Sequence, residues 1–270
     1  MPELPEVETT RRGLEPHVSG KRIAGAQIRQ SLRWPISGDL SKEIVGCALS
    51  GISRRGKYLL FDCGKGTLIL HLGMSGSLRF LKQYEQPSKH DHFDLSFTDG
   101  SLVRLRDPRR FGAVIWEKGN ALLHPLLKRL GMEPLDEEFS GKMLHDLSRG
   151  RTMAIKPFLM DHHVLVGVGN IYASEALYRA RISPLRAAGK VGLKRYMRLA
   201  EEIRSTLREA LDAGGSSLRD FLDSSGNPGY FQHSHFVYAR AGLPCQNCSA
   251  PIRQVRQGQR STFYCPRCQK

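Results

Sequence analysis

The spacing of apolar residues changes along this chain, and with it the expected secondary structure. Val7, Leu14 and Val18 recur at near-helical intervals, with Arg11 and Arg12 off that line. Pro5, followed by Glu6 and Glu8, suits a first helical turn, where proline needs no N–H and acids meet the positive end of the helix dipole. Pro16 and Gly20 are expected to end this helix. From Lys21 to about Glu117 the period becomes that of strands. Residues 21–28 alternate crudely, 58–63 and 67–72 flank the turn Gly64-Lys65-Gly66, and 93–97 and 102–105 flank Asp99-Gly100. Short strands with turns at such intervals suggest an antiparallel sandwich or barrel.

Beyond Asn120 the alternation fades. Residues 124–131 and 141–147 read as short helices separated by Pro134 and acidic residues, forming the join to a second domain. There helical spacing dominates. Residues 171–178 form a helix capped by Asn170, and a longer helix places Tyr196, Leu199, Ile203, Leu207 and Leu211 on one face before Gly214-Gly215 stops it. Alternation returns around Gln257-Gly258 as a two-stranded ribbon carrying Arg253, Arg256 and Arg260 and no acid. The chain is therefore read as α+β.

Composition narrows the partner. The 270 residues, 40% of them hydrophobic, permit real cores, and the 41 basic against 26 acidic residues give a net charge of +15. Such an excess favours a polyanion, nucleic acid being the commonest. No apolar run is long enough to cross a membrane, and acidic Glu3, Glu6 and Glu8 replace the basic opening of a signal segment, so a cytoplasmic protein is expected. Cys47 and Cys63 lie in apolar strand-like sequence and read as buried free thiols. Cys245, Cys248, Cys265 and Cys268 form C-x2-C-x16-C-x2-C, two knuckles that offer four thiolates to one tetrahedral structural zinc ion. Disulfides are the alternative, less suited to a reducing compartment.

Several segments offer chemistry. Removal of Met1 makes the Pro2 nitrogen a secondary amine, a nucleophile partly neutral near pH 7, with the Glu3 carboxyl one residue away. An ordinary helix start is the bland alternative. Gly167-Val168-Gly169-Asn170 lets backbone amides converge at a helix N-terminus, an arrangement suited to phosphate, and equally to a plain connection between helices. Gly56-Lys57, Gly73-Met74-Ser75-Gly76 and the basic loop from Arg106 to Gly112 each read alone as solvated turns, with Met74 and Phe111 as packing residues. The glycine-rich run 223–230 suits a mobile cover.

Pro2-Glu3-Leu4-Pro5-Glu6-Val7-Glu8-Thr9, Gly167-Val168-Gly169-Asn170-Ile171-Tyr172 and the terminal four-cysteine finger, in that order, resemble the formamidopyrimidine-DNA glycosylases over essentially the whole chain. Leu4 resembles this branch, whereas the related endonuclease VIII enzymes, which prefer oxidised pyrimidines, tend to carry glycine there. The resemblance implies a bifunctional glycosylase and abasic-site lyase, acting as a monomer on double-stranded DNA that contains 8-oxoguanine or formamidopyrimidines. It implies an N-terminal β-sandwich with flanking helices (1–118), a linker (119–135), a helix–two-turn–helix domain (136–235) and a zinc finger (236–270). Pro2 matches the Schiff-base nucleophile, Glu3 the general acid and base, Lys57 a proton-donating, phosphate-binding lysine and Arg260 the finger arginine of δ-elimination. His90, Arg109, Arg151, Lys156 and Asn170 align with DNA-contacting positions. Met74, Arg109 and Phe111 resemble a wedge that fills the hole left by a flipped base, and Ser217, Arg219 and Tyr230 belong to a loop over the extruded base. An oxidised-pyrimidine glycosylase of the endonuclease VIII type is the alternative within the same class, and a non-catalytic damage binder or zinc-finger regulator on the same scaffold is the reading from another class.

Overall fold

The structure, a computed structural model, describes residues 2–34, 40–215 and 235–270. Ser217, Arg219 and Tyr230 lie outside the described residues. The chain divides into two compact units. One holds residues 2–129 with 213–215, and the other holds 130–212 with 235–270.

The first unit opens with helix α1 (Leu4–Val18), which buries Leu4, Val7, Leu14 and Val18 completely. At ~1.5–3 kcal/mol per buried aliphatic side chain this face secures the helix. It also explains why Pro16 does not end it. Carrying the helix on to Val18 costs one backbone hydrogen bond at an exposed position and retains a buried valine. The strands are β1 (Ile23–Ile28), β2 (Gly51–Arg55), β3 (Tyr58–Asp62), β4 (Thr67–His71), β5 (Ser77–Leu81), β6 (Asp91–Phe97), β7 (Leu102–Arg106) and β8 (Ala113–Glu117), with a short helix α2 (Leu40–Ile44) after β1. They form two four-stranded antiparallel sheets, ordered β1-β6-β7-β5 and β2-β3-β4-β8. Ile23, Phe93, Leu95 and Val103 from one sheet meet Ile52, Leu59, Phe61, Leu68 and Val114 from the other in a common core that includes the α1 face. The expected sandwich is thus present, with the 64–66 and 99–100 hairpins in place. Cys47 and Cys63 are buried free thiols, and burial, then the nearby Cys47, pushes the Cys63 thiol up to about 12.

Topology places two loops side by side. β4 leads into β5 across to the other sheet, and β7 leads back to β8. His71 at the end of β4 is opposite Ala113 at the start of β8, and Ser77 at the start of β5 is opposite Arg106 at the end of β7. The two crossovers, 72–76 and 107–112, therefore leave and arrive at the same end of the sandwich.

The second unit contains α3 (Gly141–Ser148), α4 (Ile155–Leu159), α5 (Asn170–Arg179), α6 (Leu193–Asp212) and the ribbon β9 (Arg253–Gln257) with β10 (Arg260–Tyr264). Residues 124–131 are not helical. A single 3-10 turn (Ala121–Leu123) ends at His124, whose ψ of 139° is the extended conformation imposed by the following Pro125. The face of α6 drifts as a 3.6-residue period requires, so Ala210 is fully buried where Leu211 is only partly so. Tyr178 of α5 shares a small core with Val237, Ile252, Phe263 and the cysteines, which fastens the finger to the helices.

Candidate nucleic-acid interface and active site

Pro2 and Glu3 are buried at the start of α1. Glu3 is the N-cap, and Glu6, three residues on, accepts a hydrogen bond from the Glu3 amide at 2.8 Å in a capping box. The Pro2-Glu3 dipeptide is therefore anchored at the head of α1. One turn further, the Glu8 carboxylate accepts from Arg11 (2.9 Å), Arg12 (2.9 Å) and Arg54 of β2 (3.2 Å). Burial pushes its pKa up, but the three guanidinium groups prevail and hold it below the usual range. Arg54 in turn donates to the Gly56 carbonyl at 2.9 Å. Glu8 and Arg54 thus tie α1, which follows Pro2 and Glu3, to the β2–β3 turn. Gly56 takes a φ of 57° there, and Lys57 follows it.

The paired crossovers bring three of the expected residues together. Gly73 (φ 62°) lies so close to the other loop that an added Cβ would meet the Phe111 carbonyl carbon at 2.4 Å, so the Met74 loop packs backbone to backbone on the Phe111–Gly112 peptide. The Arg109 guanidinium stands 4.9 Å from the Phe111 ring centroid, and that of Arg33 5.5 Å. Asp107, fully buried, joins the loops. Its Oδ1 accepts from Ser75 Oγ at 3.0 Å and its Oδ2 from the Gly112 amide at 2.7 Å. The Asp107 amide donates to the His90 carbonyl at 2.9 Å. His71 Nδ1 accepts from the Gly73 amide at 3.0 Å. Desolvation, aided by the Lys57 charge, lowers the His71 pKa to about 4 and keeps this ring a neutral acceptor.

In the second unit, Asn170 is the first residue of α5 and Gly169 its N-cap, so the Asn170 side chain does not cap the helix. Its Oδ1 accepts from Lys156 Nζ at 2.6 Å, and its Nδ2 donates to the Ser261 carbonyl at 3.1 Å. Lys156 is 1% exposed and also donates to Thr262 Oγ1 (2.8 Å) and to the Ser261 carbonyl (3.2 Å). The Lys156 side chain is itself buried, and with Asn170, Ser261 and Thr262 accepting its protons it does not present its charge to solvent. In this arrangement Lys156 clamps the Gly167–Asn170 turn to the ribbon. Arg151 is exposed on the turn before α4, and Arg260 is exposed at the tip of the ribbon, beside Gly258 with φ 59°.

The cysteines converge. Their four sulfur atoms lie within 4.8 Å of one another, with Cys245 and Cys268 at 3.9 Å and Cys248 and Cys265 at 3.4 Å. A tetrahedron of ~2.3 Å Zn–S bonds has edges of about 3.8 Å, a spacing that suits this cluster to one zinc ion. Asn247 Nδ2 donates to Cys268 Sγ at 3.3 Å, and the Tyr178 hydroxyl lies 3.3 Å from Cys245 Sγ, contacts that stabilise thiolate charge. Glu175 went unrecognised in the sequence. Fully buried on α5, it accepts from the amides of Phe236 (2.8 Å), Val237 (3.1 Å) and Tyr238 (2.8 Å), fixing the start of the finger segment. The signal available was an acid on the buried face of a helix, among Tyr172, Ala173 and Ala176.

Known proteins show which family the chain falls in. The family models described as formamidopyrimidine-DNA glycosylase N-terminal domain, formamidopyrimidine-DNA glycosylase H2TH domain and zinc finger found in FPG and IleRS match residues 1–114, 130–222 and 242–270. The chain is 55% identical over 271 residues to the formamidopyrimidine-DNA glycosylase of Methylococcus capsulatus and 54% identical over 277 residues to that of Paraburkholderia phytofirmans, with all of each chain covered. Among solved structures it is similar to a Lactococcus lactis FPG mutant in complex with Fapy-dG containing DNA (TM-score 0.91, 36% identity, all of both chains covered). It is also similar to the MutM (FPG) protein of Thermus thermophilus (TM-score 0.89, 39% identity, 99% of this chain and 98% of that one covered).

Proposed function

The chain belongs to the formamidopyrimidine-DNA glycosylase family, and from that premise we propose that Pro2 is the nucleophile by which it excises oxidised purines from duplex DNA and cleaves the resulting abasic site. The observation that carries this reading is the buried Pro2-Glu3 dipeptide held at the head of α1 by Glu6. An amine fixed beside a carboxyl is what attack at a sugar carbon requires.

Attack of the neutral Pro2 nitrogen on C1′ forms the C–N bond as the C1′–N9 bond breaks and the damaged base leaves with the electron pair. Glu3 then donates a proton to O4′ as the ring opens, and loss of the amine proton gives a cationic iminium. The iminium acidifies C2′–H. Removal of that proton expels the 3′ phosphate, and a second elimination expels the 5′ phosphate, after which water releases Pro2. Lys57 and Arg260 are assigned to phosphate binding and proton delivery at these two departures, where a cation favours a leaving anion. His90, Arg109, Arg151 and Asn170 are assigned to the duplex backbone. Met74, Arg109 and Phe111 occupy the space of the extruded base, offsetting part of the few kcal/mol lost on unstacking. The zinc ion, fully ligated by sulfur, is structural and holds the ribbon in shape. Among the described residues no helix is long and apolar enough to cross a membrane, and we assign the protein to the bacterial cytoplasm, acting as a monomer on chromosomal DNA.

Borohydride reduction in the presence of an 8-oxoguanine duplex tests the assignment. The expected result is a covalent protein–DNA adduct that Pro2→Gly forms poorly or not at all. Full lyase activity in the variant, or an active protein that still carries Met1, excludes the proposed nucleophile. A protein that binds the duplex without ever trapping would instead be a non-catalytic damage binder.

A further inference from the structure

The wedge residues stand on two loops that are separate in sequence, and each loop read alone is a solvated turn. A wedge made of two independently mobile loops would have to be ordered at the moment of base extrusion, at a cost in conformational entropy. The structure removes that need through one side chain. Asp107 is fully buried at the base of the second crossover. One of its oxygens accepts from Ser75 Oγ, next to Met74, and the other from the Gly112 amide, next to Phe111. Ser75 Oγ in turn accepts from the Arg109 amide at 3.3 Å, and the Asp107 carbonyl accepts from the Arg110 amide at 3.1 Å, where Arg110 takes a φ of 56°. A carboxylate accepting from both loops leaves neither free to swing. Gly112 admits this contact, since a Cβ there would meet Asp107 Oδ2 at 3.0 Å and the His71 carbonyl at 2.9 Å.

We infer that Asp107 is a positioning residue for base extrusion, locking the Met74 loop and the Arg109–Phe111 loop into one preformed wedge. It touches neither substrate nor reacting atoms in this role. The inference rests on the wedge reading of Met74, Arg109 and Phe111 given above. Its signature is a split between two steps of the reaction. Excision of 8-oxoguanine from a fully paired duplex needs the wedge, whereas cleavage of a ready-made abasic site has no base to unstack and depends on it far less.

Single-turnover rates on an 8-oxoguanine duplex and on an abasic-site duplex test this. For Asp107→Ala, with two hydrogen bonds lost, base excision is expected to fall by roughly a hundredfold and abasic-site cleavage by less than about fivefold. Ser75→Ala, a milder change to the same bridge, should show the same split at roughly tenfold. Asp107→Asn should recover most of the excision rate, because Oδ1 still accepts from the Gly112 amide while Nδ2 can donate to Ser75 Oγ. Equal losses on both substrates, tracking a lowered thermal midpoint and shared by Ser75→Ala, would reduce Asp107 to a structural residue and overturn the inference. So would unchanged excision in both variants. The double variant Arg109→Ala/Phe111→Ala separates the two levels of the argument. Loss of excision there, with none in Asp107→Ala, defeats only the positioning role, whereas no loss in either defeats the wedge itself.

Discussion

Lys156 offers the most direct check on how the second unit is built. Lys156→Met keeps the length of the stem and removes the ammonium. Its three acceptors are not left equally exposed to the loss. The Ser261 carbonyl still accepts from Asn170 Nδ2, and Thr262 Oγ1 still donates to Gln257 Oε1 at 2.8 Å, so Asn170 Oδ1 is the group left without a donor. An unpaired acceptor costs ~1–3 kcal/mol when buried, and half-buried Asn170 sits at the lower end of that range. The strength of the charge-assisted bonds that disappear is offset by no longer having to desolvate a cation. The net destabilisation should be about 1 kcal/mol, read by urea denaturation.

DNA binding separates a buried clamp from a surface contact. A lysine that neutralises a phosphate contributes ~0.9 to the slope of log K against log salt, and removing it lowers the slope by that amount. A clamp leaves the slope alone and shifts the whole line, because every phosphate contact persists while Asn170 is no longer aimed. Fluorescence anisotropy with an abasic-analogue duplex across 50–200 mM salt should show binding about tenfold weaker, the equivalent of ~1.4 kcal/mol, at an unchanged slope. A slope reduced by about 0.9, or unaltered stability, would refute the clamp.

Two further outcomes follow from the site. Chelation should release one zinc ion per chain, disorder the ribbon that carries Arg260 and abolish duplex binding, and binding that survives complete metal loss would take the finger out of DNA recognition. His71 should make the protein acid-sensitive. Its pKa is lowered from 6.5 to about 4 by desolvation and then by Lys57, so between those values the unfolded chain binds a proton that the folded chain refuses, and stability falls as pH drops through that window. At pH 5 the loss is at most about 2 kcal/mol. His71→Gln should flatten the dependence of unfolding free energy on pH between 5 and 7, and an identical slope in the variant would contradict the assignment.

What was legible in the sequence was whatever is encoded over short distances. Strand alternation marked 58–63 and 67–72 with their hairpin, now β3 and β4, and C-x2-C spacing marked the zinc ligands, because a pleat and a knuckle are each set by a few consecutive residues. Strands β2, β5 and β8 were not separately resolved. Gly51, Arg54, Arg55 and Arg79 break the apolar pattern of β2 and β5, β8 follows directly on the basic loop that ends at Gly112, and these strands are completed by partners elsewhere in the chain. The same distance effect hid the residues that organise the site. Glu8 reaches Arg54 across 46 positions, Ser75 reaches Asp107 across 32, Glu175 reaches Val237 across 62, and Lys156 reaches Thr262 across 106. Each is a polar side chain wholly or largely removed from water whose partner comes from another element. A buried charge is tolerated only where the fold supplies that partner. Pro2, Glu3, Lys57 and the proposed wedge residues were assigned through the family resemblance, since each segment read alone is an ordinary helix start or turn, and their poise depends on these remote contacts. It follows that loss of function here should often come from substitutions at Glu8, Asp107, Lys156 or Glu175, positions without sequence motifs of their own, and that such variants should lose rate or affinity while every proposed catalytic side chain remains in place.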